Sequence, residues 1–160
     1  MKKSVMIIIA IVVILLVIGG ILFFMLSPKK KAVTEEQFVE IAKEKGYNIG
    51  EVQKDTLNNA AITSAKIAVS SDYRYLVEFY ILNSHEATSH FFNECKSNFE
   101  SNKVNGAIPI EESGKEYEKY TLKSDGKYMY LARVNNTIIQ LNVNEQDEKA
   151  VTEFINALGY

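Results

Sequence analysis

Residues 117–143 read YEKYTLKSDGKYMYLARVNNTIIQLNV, three strand-favouring runs separated by two short turns. Tyr, Thr, Val and Ile are enriched in strands, and Asp125-Gly126 between two such runs is a strong signal for a β-hairpin. Asn135-Asn136 makes the second turn, because asparagine tolerates positive φ. Consecutive hairpins pair antiparallel, so this stretch predicts an antiparallel meander with strands at 117–123, 127–134 and 137–143.

Upstream of the meander, the sequence predicts a second pair of strands joined by a turn at Ser71-Asp72. The first strand spans 62–70 and the second spans 73–82, and a short strand at 48–53 precedes them. Alternation with period two places one set of apolar side chains of the second strand on a single face. That set is Tyr73, Tyr75, Val77, Phe79 and Ile81.

Three amphipathic helices alternate with these strands. A capping box of Thr34 and Gln37 opens a helix at 35–45, and a second helix follows Asn83 or Ser84 and extends to about residue 101. Asn144 is the predicted cap of a helix that ends before Gly159, and the stretch 103–116 is predicted as a long polar loop. Each helix has one apolar stripe. The predicted fold class is therefore α+β, a two-layer domain with an antiparallel sheet and helices packed on one face.

An uncharged apolar run at 5–26 stands before this domain, flanked by lysines on both sides. It is long enough to cross a bilayer as a helix. It is also longer than the apolar region of a cleaved signal peptide and lacks a small-residue cleavage site. We therefore predict a cytoplasmic tail at 1–4, a transmembrane anchor at 5–26, a linker at 27–33 and an extracytoplasmic domain at 34–160. The bilayer is thus one predicted partner.

The composition of the domain limits its other partners. Residues 32–160 hold 13 Lys and Arg against 20 Asp and Glu, a net charge of −7. Nucleic-acid binders carry basic patches, so no nucleic-acid partner is predicted. Cys95 is the single cysteine, which excludes an intramolecular disulfide. Because Cys95 lies on the apolar stripe of the second helix, we expect a buried, unreactive thiol.

Tyrosine is unusually frequent, with nine residues against no tryptophan. Tyrosine packs well across strands and also serves as a recognition residue, because it offers large area at small entropic cost. If helices cover one sheet face, some tyrosines must lie on the open face or under loops. The predicted binding residues are Tyr75, Tyr80, Tyr128 and Tyr130, with cross-strand packing as the alternative.

Candidate chemistry is weak elsewhere. Glu86, His90 and Glu94 recur every four residues along one helix face and include zinc-ligand types. Three such residues span two helical turns, so they cannot share one ion, and a solvated face is the simpler interpretation. No phosphate loop, nucleophile elbow or metalloprotease motif is present. The sequence therefore predicts no catalytic residues, no metal site and no cofactor.

Several features together resemble a known class of proteins. They are the lysine-flanked anchor, the opening Thr-Glu-Glu-Gln-Phe helix at 34–38, the Val-Glu-Phe-Tyr strand at 77–80 and the closing Phe-Ile-Asn-Ala-Leu-Gly-Tyr at 154–160. This pattern resembles small single-anchor extracytoplasmic proteins of Gram-positive bacteria. The resemblance implies a location at the cell membrane and carries over no functional residues.

Two functions fit these observations. The first is a non-enzymatic, membrane-anchored domain that binds a protein partner or an envelope component; a sensor or immunity-like domain that contacts another membrane protein is not separable from it. The second is a metal-dependent hydrolase that uses the helix face of Glu86, His90 and Glu94.

Overall fold

A computed structural model of the chain describes residues 30–52 and 60–160. The predicted anchor at 5–26, the tail at 1–4 and the first residues of the linker lie outside the described residues. Within the described part of the chain, no helix is both long and apolar enough to cross a bilayer.

Seven antiparallel strands form one sheet in the order β1-β2-β3-β7-β6-β5-β4. The meander predicted from residues 117–143 is present, as β5, β6 and β7 pair in sequence. The strands are β1 Asn48–Glu51, β2 Ile62–Val69, β3 Leu76–Leu82, β4 Ile110–Ser113, β5 Tyr117–Ser124, β6 Lys127–Val134 and β7 Thr137–Asn144.

In the described part of the chain, three α-helices alternate with the strands. They are α1 Glu35–Glu44, α2 His85–Ser101 and α3 Glu148–Leu158, with a 3-10 turn at Glu145–Asp147 before the last. The Thr34–Gln37 capping box opens α1 as predicted, and Ser84 caps α2 by accepting from the Ala87 N–H. Asn144 makes no side-chain cap bond and precedes the 3-10 turn, so its predicted role as cap of α3 is wrong.

The helices cover both faces of the sheet, which corrects the prediction of a two-layer domain. Helices α1 and α3 pack on one face, where the Phe38 ring stacks on Phe79 with centroids 4.6 Å apart. Helix α2 packs on the opposite face, where Phe92 and Cys95 join a second core with Leu131. The domain is α+β with a helical layer on each side of an antiparallel sheet.

Two apolar faces on the same strands explain this arrangement. In β3, Val77 and Phe79 belong to the core under α1 and α3, whereas Tyr80 and Leu82 belong to the core under α2. Strand β6 alternates in the same way, and seven of its eight residues are buried. A strand with two apolar faces needs a cover on each side.

Two sequence predictions about β-structure also change. The polar stretch 103–116 contains the edge strand β4, all four residues of which are exposed. Residues 73–75, predicted as the start of a strand, instead complete a loop, and β3 begins at Leu76. The linker also packs more closely than predicted, since Val33 is buried against the α1–α3 core.

The sheet has two distinct ends, and the described chain enters at one of them. The Lys30 ammonium lies 5.1 Å from the ring centroid of Tyr117, at the start of β5. The 135–136 turn is at this same end, because the Asn135 N–H donates to the Glu116 carbonyl at 2.8 Å. The loop at 70–75 joins β2 and β3 at the opposite end, so the length of a strand separates it from Lys30.

Candidate functional site

The strongest candidate site is the loop at 70–75, with the sequence Ser-Ser-Asp-Tyr-Arg-Tyr, which we call the tyrosine loop. Loops held by a rigid scaffold are where binding residues concentrate. Here the scaffold is the β2–β3 pair, whose register runs without interruption from Ala65 to the loop at Val69 and Leu76.

Ser70 holds the loop from inside. Its side chain is buried, and its hydroxyl accepts hydrogen bonds from the N–H groups of Arg74 at 3.1 Å and Tyr75 at 3.2 Å. The same hydroxyl donates to the Asp72 carboxylate at 2.7 Å. Serine and aspartate side chains commonly stabilise turns in this way, because they replace backbone partners. These three hydrogen bonds tie the backbone and the Asp72 side chain of the loop to one buried hydroxyl.

Arg74 ties the loop to the start of α3. Its guanidinium pairs with Asp72 through Nε, and its Nη1 lies 2.8 Å from Oδ1 of Asp147. Asp147 is only 3% exposed, and within the described residues its Oδ2 has no hydrogen-bond partner. A buried carboxylate needs a paired charge, so Arg74 is held at this position by Asp147 as well as by Asp72.

Tyr73 is the unusual residue of the loop. Its φ is 60°, in the left-handed region that bulky L-residues rarely adopt. Its side chain is 76% exposed. Backbone strain of this kind persists where the surroundings over-determine the conformation, and it concentrates at functional positions. The fold thus holds a large aromatic ring in solvent, where it contributes little to the core.

Tyr75 contacts a second tyrosine, Tyr47, and both line a small cavity beside the loop. Its hydroxyl lies 3.3 Å from that of Tyr47, and the two rings meet edge to face with centroids 6.1 Å apart. The cavity has a volume of about 210 Å³ and is also lined by Ser70, Asp72 and Phe154. A cavity lined by two tyrosines, two carboxylate residues (Asp72 and Glu153) and Lys45 suits polar contacts with a partner.

The charges of the site are fixed at neutral pH. Hydrogen bonds from Arg74 and Ser70 lower the pKa of Asp72 to about 2. Burial, followed by the hydrogen bond with Tyr75, raises the pKa of Tyr47. A carboxylate that stays ionised and a phenol that stays protonated are poorly matched to proton transfer near neutral pH. The arrangement suits recognition better than acid–base chemistry.

The four predicted binding tyrosines are in different places. Tyr75 is half-buried in the tyrosine loop, whereas Tyr80, Tyr128 and Tyr130 are between 4% and 7% exposed. The structure therefore does not bring the four together, and these three form no open binding face. Tyr80 lies in the core under α2, whereas Tyr128 and Tyr130 lie in the core under α1 and α3, because helices cover both faces of the sheet.

The predicted metal-ligand candidates lie on the solvent side of α2. His90 and Glu94 are 74% and 54% exposed, and His90 Nδ1 is 3.6 Å from Glu94 Oε1. Glu86 is also exposed. Among the described residues, no group of three or more His, Cys, Asp or Glu side chains could hold a metal ion. The hydrolase hypothesis gains no support from this face.

Cys95 is buried, as its position on the apolar stripe of the second helix predicted. It is 6% exposed in the core under α2, and burial raises its pKa to about 12. The thiol is therefore protonated at neutral pH and is a poor nucleophile.

Sequence reasoning missed most of the site. The sequence predicts Ser70 and Arg74 in strands and Asp72 in a turn. It gives no signal for Tyr47. The available signal was the Ser-Ser-Asp cluster directly before Tyr73, since such clusters form side-chain-stabilised turns. The alternation of Tyr73, Arg74 and Tyr75 resembled a strand and concealed it.

Comparison with known proteins assigns no function. No protein-family model matches the chain, and no curated protein matches it. A crystal structure of a GTP binding regulator from Thermotoga maritima is 14% identical with a TM-score of 0.47, covering 82% of this chain and 87% of that chain. The extracellular domain of PknH from Mycobacterium tuberculosis is 8% identical with a TM-score of 0.38, covering 79% of this chain and 91% of that chain. At these scores neither likeness supports an argument about function.

Proposed function

We propose that the protein is a membrane-anchored, extracytoplasmic, non-enzymatic domain that binds a protein partner through the tyrosine loop. The observation that carries this proposal is Tyr73, which is 76% exposed at a strained φ of 60°. Exposed tyrosines flanked by serine and arginine resemble the composition of protein-binding loops, where rigid aromatic rings supply contact area at small entropic cost.

The position of the loop supports a protein partner over the membrane itself. Residue 26, the end of the predicted anchor, is four positions before Lys30, and four extended residues span at most about 14 Å. Lys30 lies at one end of the sheet, over Tyr117. The tyrosine loop lies at the other end, beyond the seven residues of β3, which at about 3.3 Å each add roughly 23 Å. With the predicted anchor at 5–26, the loop would lie at the end of the sheet away from the bilayer.

Preorganisation is the second support. Ser70 and Asp72 fix the loop backbone, and Asp147 fixes Arg74 from α3. A binding loop that is already ordered loses less entropy when it meets a partner. We expect Tyr73 and Arg74 to be the residues that contribute most, because tyrosine and arginine are enriched among binding hot spots.

Partner capture with a matched pair of variants tests the proposal. The full chain is crosslinked in native membranes and solubilised, and the co-purified partner is quantified. Tyr73→Gly removes the ring and also accepts the positive φ, so the fold is retained. Loss of a hot spot costs about 2 kcal/mol, so capture affinity should fall roughly thirtyfold.

Val104→Ala is the control, because Val104 is an exposed apolar residue outside the loop, 46% exposed. It should leave capture unchanged. Equal capture by wild type and Tyr73→Gly would contradict the proposal. Co-purification of a wall polymer in place of a protein would make the partner an envelope component and would also contradict it.

A further inference from the structure

A second cavity, distinct from the one beside the tyrosine loop, borders α3 and strands β4 to β6. Helices α1 and α3 cover the central strands of their sheet face, but β5 and β4 extend past α3 on that side. The resulting cavity has a volume of about 400 Å³. We call it the α3 cavity, and the residues used below are Ile108, Ile110, Thr121, Tyr130 and Ile155.

Half of the lining residues are aliphatic or aromatic and half are polar or charged, and two of the aliphatic ones are unusually exposed. Ile108 is 83% exposed and Ile110 is 64% exposed. Ile155 of α3, on the far side of the cavity, is buried. Isolated exposed apolar residues are ordinary on protein surfaces. Two neighbouring isoleucines at the rim of a cavity are a different case, because together they offer an apolar contact surface to a ligand.

Tyr130 is one of the residues that line the cavity, and its hydroxyl is buried without a partner among the described residues. Its side chain is 4% exposed. Other buried or half-buried hydroxyls are satisfied: Tyr120 donates to Glu100 at 2.5 Å, and Tyr160 bonds Thr137. Buried polar groups are nearly always paired, so an unpaired one needs an explanation. Burial raises the pKa of Tyr130, which keeps this hydroxyl protonated and able to donate.

The charges at the rim cancel in pairs. The Lys119 ammonium bonds the Glu112 carboxylate across β5 and β4. The Lys123 ammonium lies 2.6 Å from the Glu148 carboxylate of α3. Since each lysine is already paired with an acid, the rim has no net attraction for an anionic head group. An uncharged ligand fits this balance better than a carboxylate or a phosphate.

We propose that the α3 cavity binds an uncharged acyl amphiphile, such as an acylglycerol, with the aliphatic chain against Ile108, Ile110 and Ile155 and a carbonyl oxygen accepting the hydrogen bond of the Tyr130 hydroxyl. The proposal does not depend on the tyrosine loop, because the two cavities both border α3 but share no lining residue. A failure here therefore leaves the proposed partner binding untouched, and the reverse also holds.

Photolabelling of the full chain in phosphatidylcholine nanodiscs tests the proposal. The probe is a monoacylglycerol with a diazirine in its acyl chain, and unlabelled monoacylglycerol is the competitor. Mass spectrometry then maps the labelled peptides. We expect saturable, competed labelling within 108–123 and 148–158, and weaker labelling of these peptides by a photoreactive free fatty acid.

Three variants identify the contacts. Tyr130→Phe removes only the unpaired hydroxyl, so the fold should be retained while labelling affinity falls about fivefold, the effect of one hydrogen bond. Tyr120→Phe is the control, since its hydroxyl lies in the other core, and it should label as wild type does. Thr121→Phe adds bulk to the cavity wall and should abolish labelling there.

Two results would overturn the proposal. Labelling confined to the 5–26 peptide would mean that the probe only partitions into the bilayer. Equal labelling of the cavity peptides in wild type and Tyr130→Phe would mean that the hydroxyl binds no ligand, and an ordered water would then be its partner.

Discussion

Replacing Ser70 with alanine tests whether the tyrosine loop is held as we describe. The Ser70 hydroxyl accepts from the N–H groups of Arg74 at 3.1 Å and Tyr75 at 3.2 Å, and it donates to Asp72 at 2.7 Å. Alanine removes all three bonds and leaves two backbone donors without that acceptor. Water can reach part of the loop, because Arg74 is exposed.

The expected loss of stability follows from these bonds. A hydrogen bond contributes about 0.5–1.5 kcal/mol net, and the bond to the exposed Asp72 contributes least. We therefore expect the Ser70→Ala variant to lose about 1–2 kcal/mol of unfolding free energy, carried mainly by the two backbone N–H groups. For a domain of this size the loss lowers Tm by roughly 4–8 °C.

The assay is thermal unfolding of the full chain in mild detergent, followed by near-UV circular dichroism of the tyrosines. Ser71→Ala is the matched control, because Ser71 is the exposed neighbour in the same loop. It should shift Tm very little. If Ser70→Ala and Ser71→Ala unfold at the same temperature, the Ser70 hydroxyl does not stabilise the loop. The loop is then not preorganised by its hydrogen bonds.

Three further outcomes are expected. Tyr80→Ala should destabilise the domain by about 3–4 kcal/mol in a urea titration, because it empties a core site where the ring meets Phe91 at 5.1 Å; an unchanged midpoint would mean that this face is not packed. Cys95 should react with a thiol reagent only after unfolding, since its pKa is near 12 and it is 6% exposed; fast labelling of the folded chain would contradict its burial. The pKa of Asp72 falls from 3.8 to about 2 on folding, so its contribution to stability is present above about pH 4 and is lost as the pH falls towards 2. A carboxyl NMR titration of Asp72 with a midpoint near pH 4 would contradict the hydrogen bonds assigned to it.

The hairpins could be predicted because their turns are local. Asp125 and Gly126 have φ of 51° and 69°, and Asn135 has φ of 53°. Each of these residue types tolerates the left-handed region better than most. The conformational preferences of these turn residues are therefore enough to predict that β5, β6 and β7 pair in sequence.

The second helical layer was missed for a reason visible in β3. Its sequence Leu-Val-Glu-Phe-Tyr-Ile-Leu is almost continuously apolar, which is typical of a strand buried on both faces. The prediction considered only the face of β3 that includes Val77 and Phe79. Tyr80 and Leu82, on the other face, also need a helix to bury them, and α2 supplies it. Strand β4 was missed because an exposed, charged edge strand has no apolar signal, and charge on an edge discourages pairing with other chains.

The tyrosine loop could not be predicted in full, because its parts come from distant positions. Ser70 and Asp72 are local to the loop, and their turn could have been recognised. Tyr47 follows α1, and Asp147 precedes α3. Only the packed sheet and helices bring these residues beside Tyr75 and Arg74, so no spacing in the sequence indicates the cavity.

Site-specific photocrosslinking in cells tests whether Tyr73 contacts a protein partner. A photoreactive phenylalanine analogue is placed at position 73 of the full chain and, as a control, at Glu94, which is 54% exposed on α2. We predict one reproducible crosslinked protein from position 73 and none from position 94. No crosslink from position 73, or the same products from both positions, would mean that Tyr73 does not contact a specific protein partner.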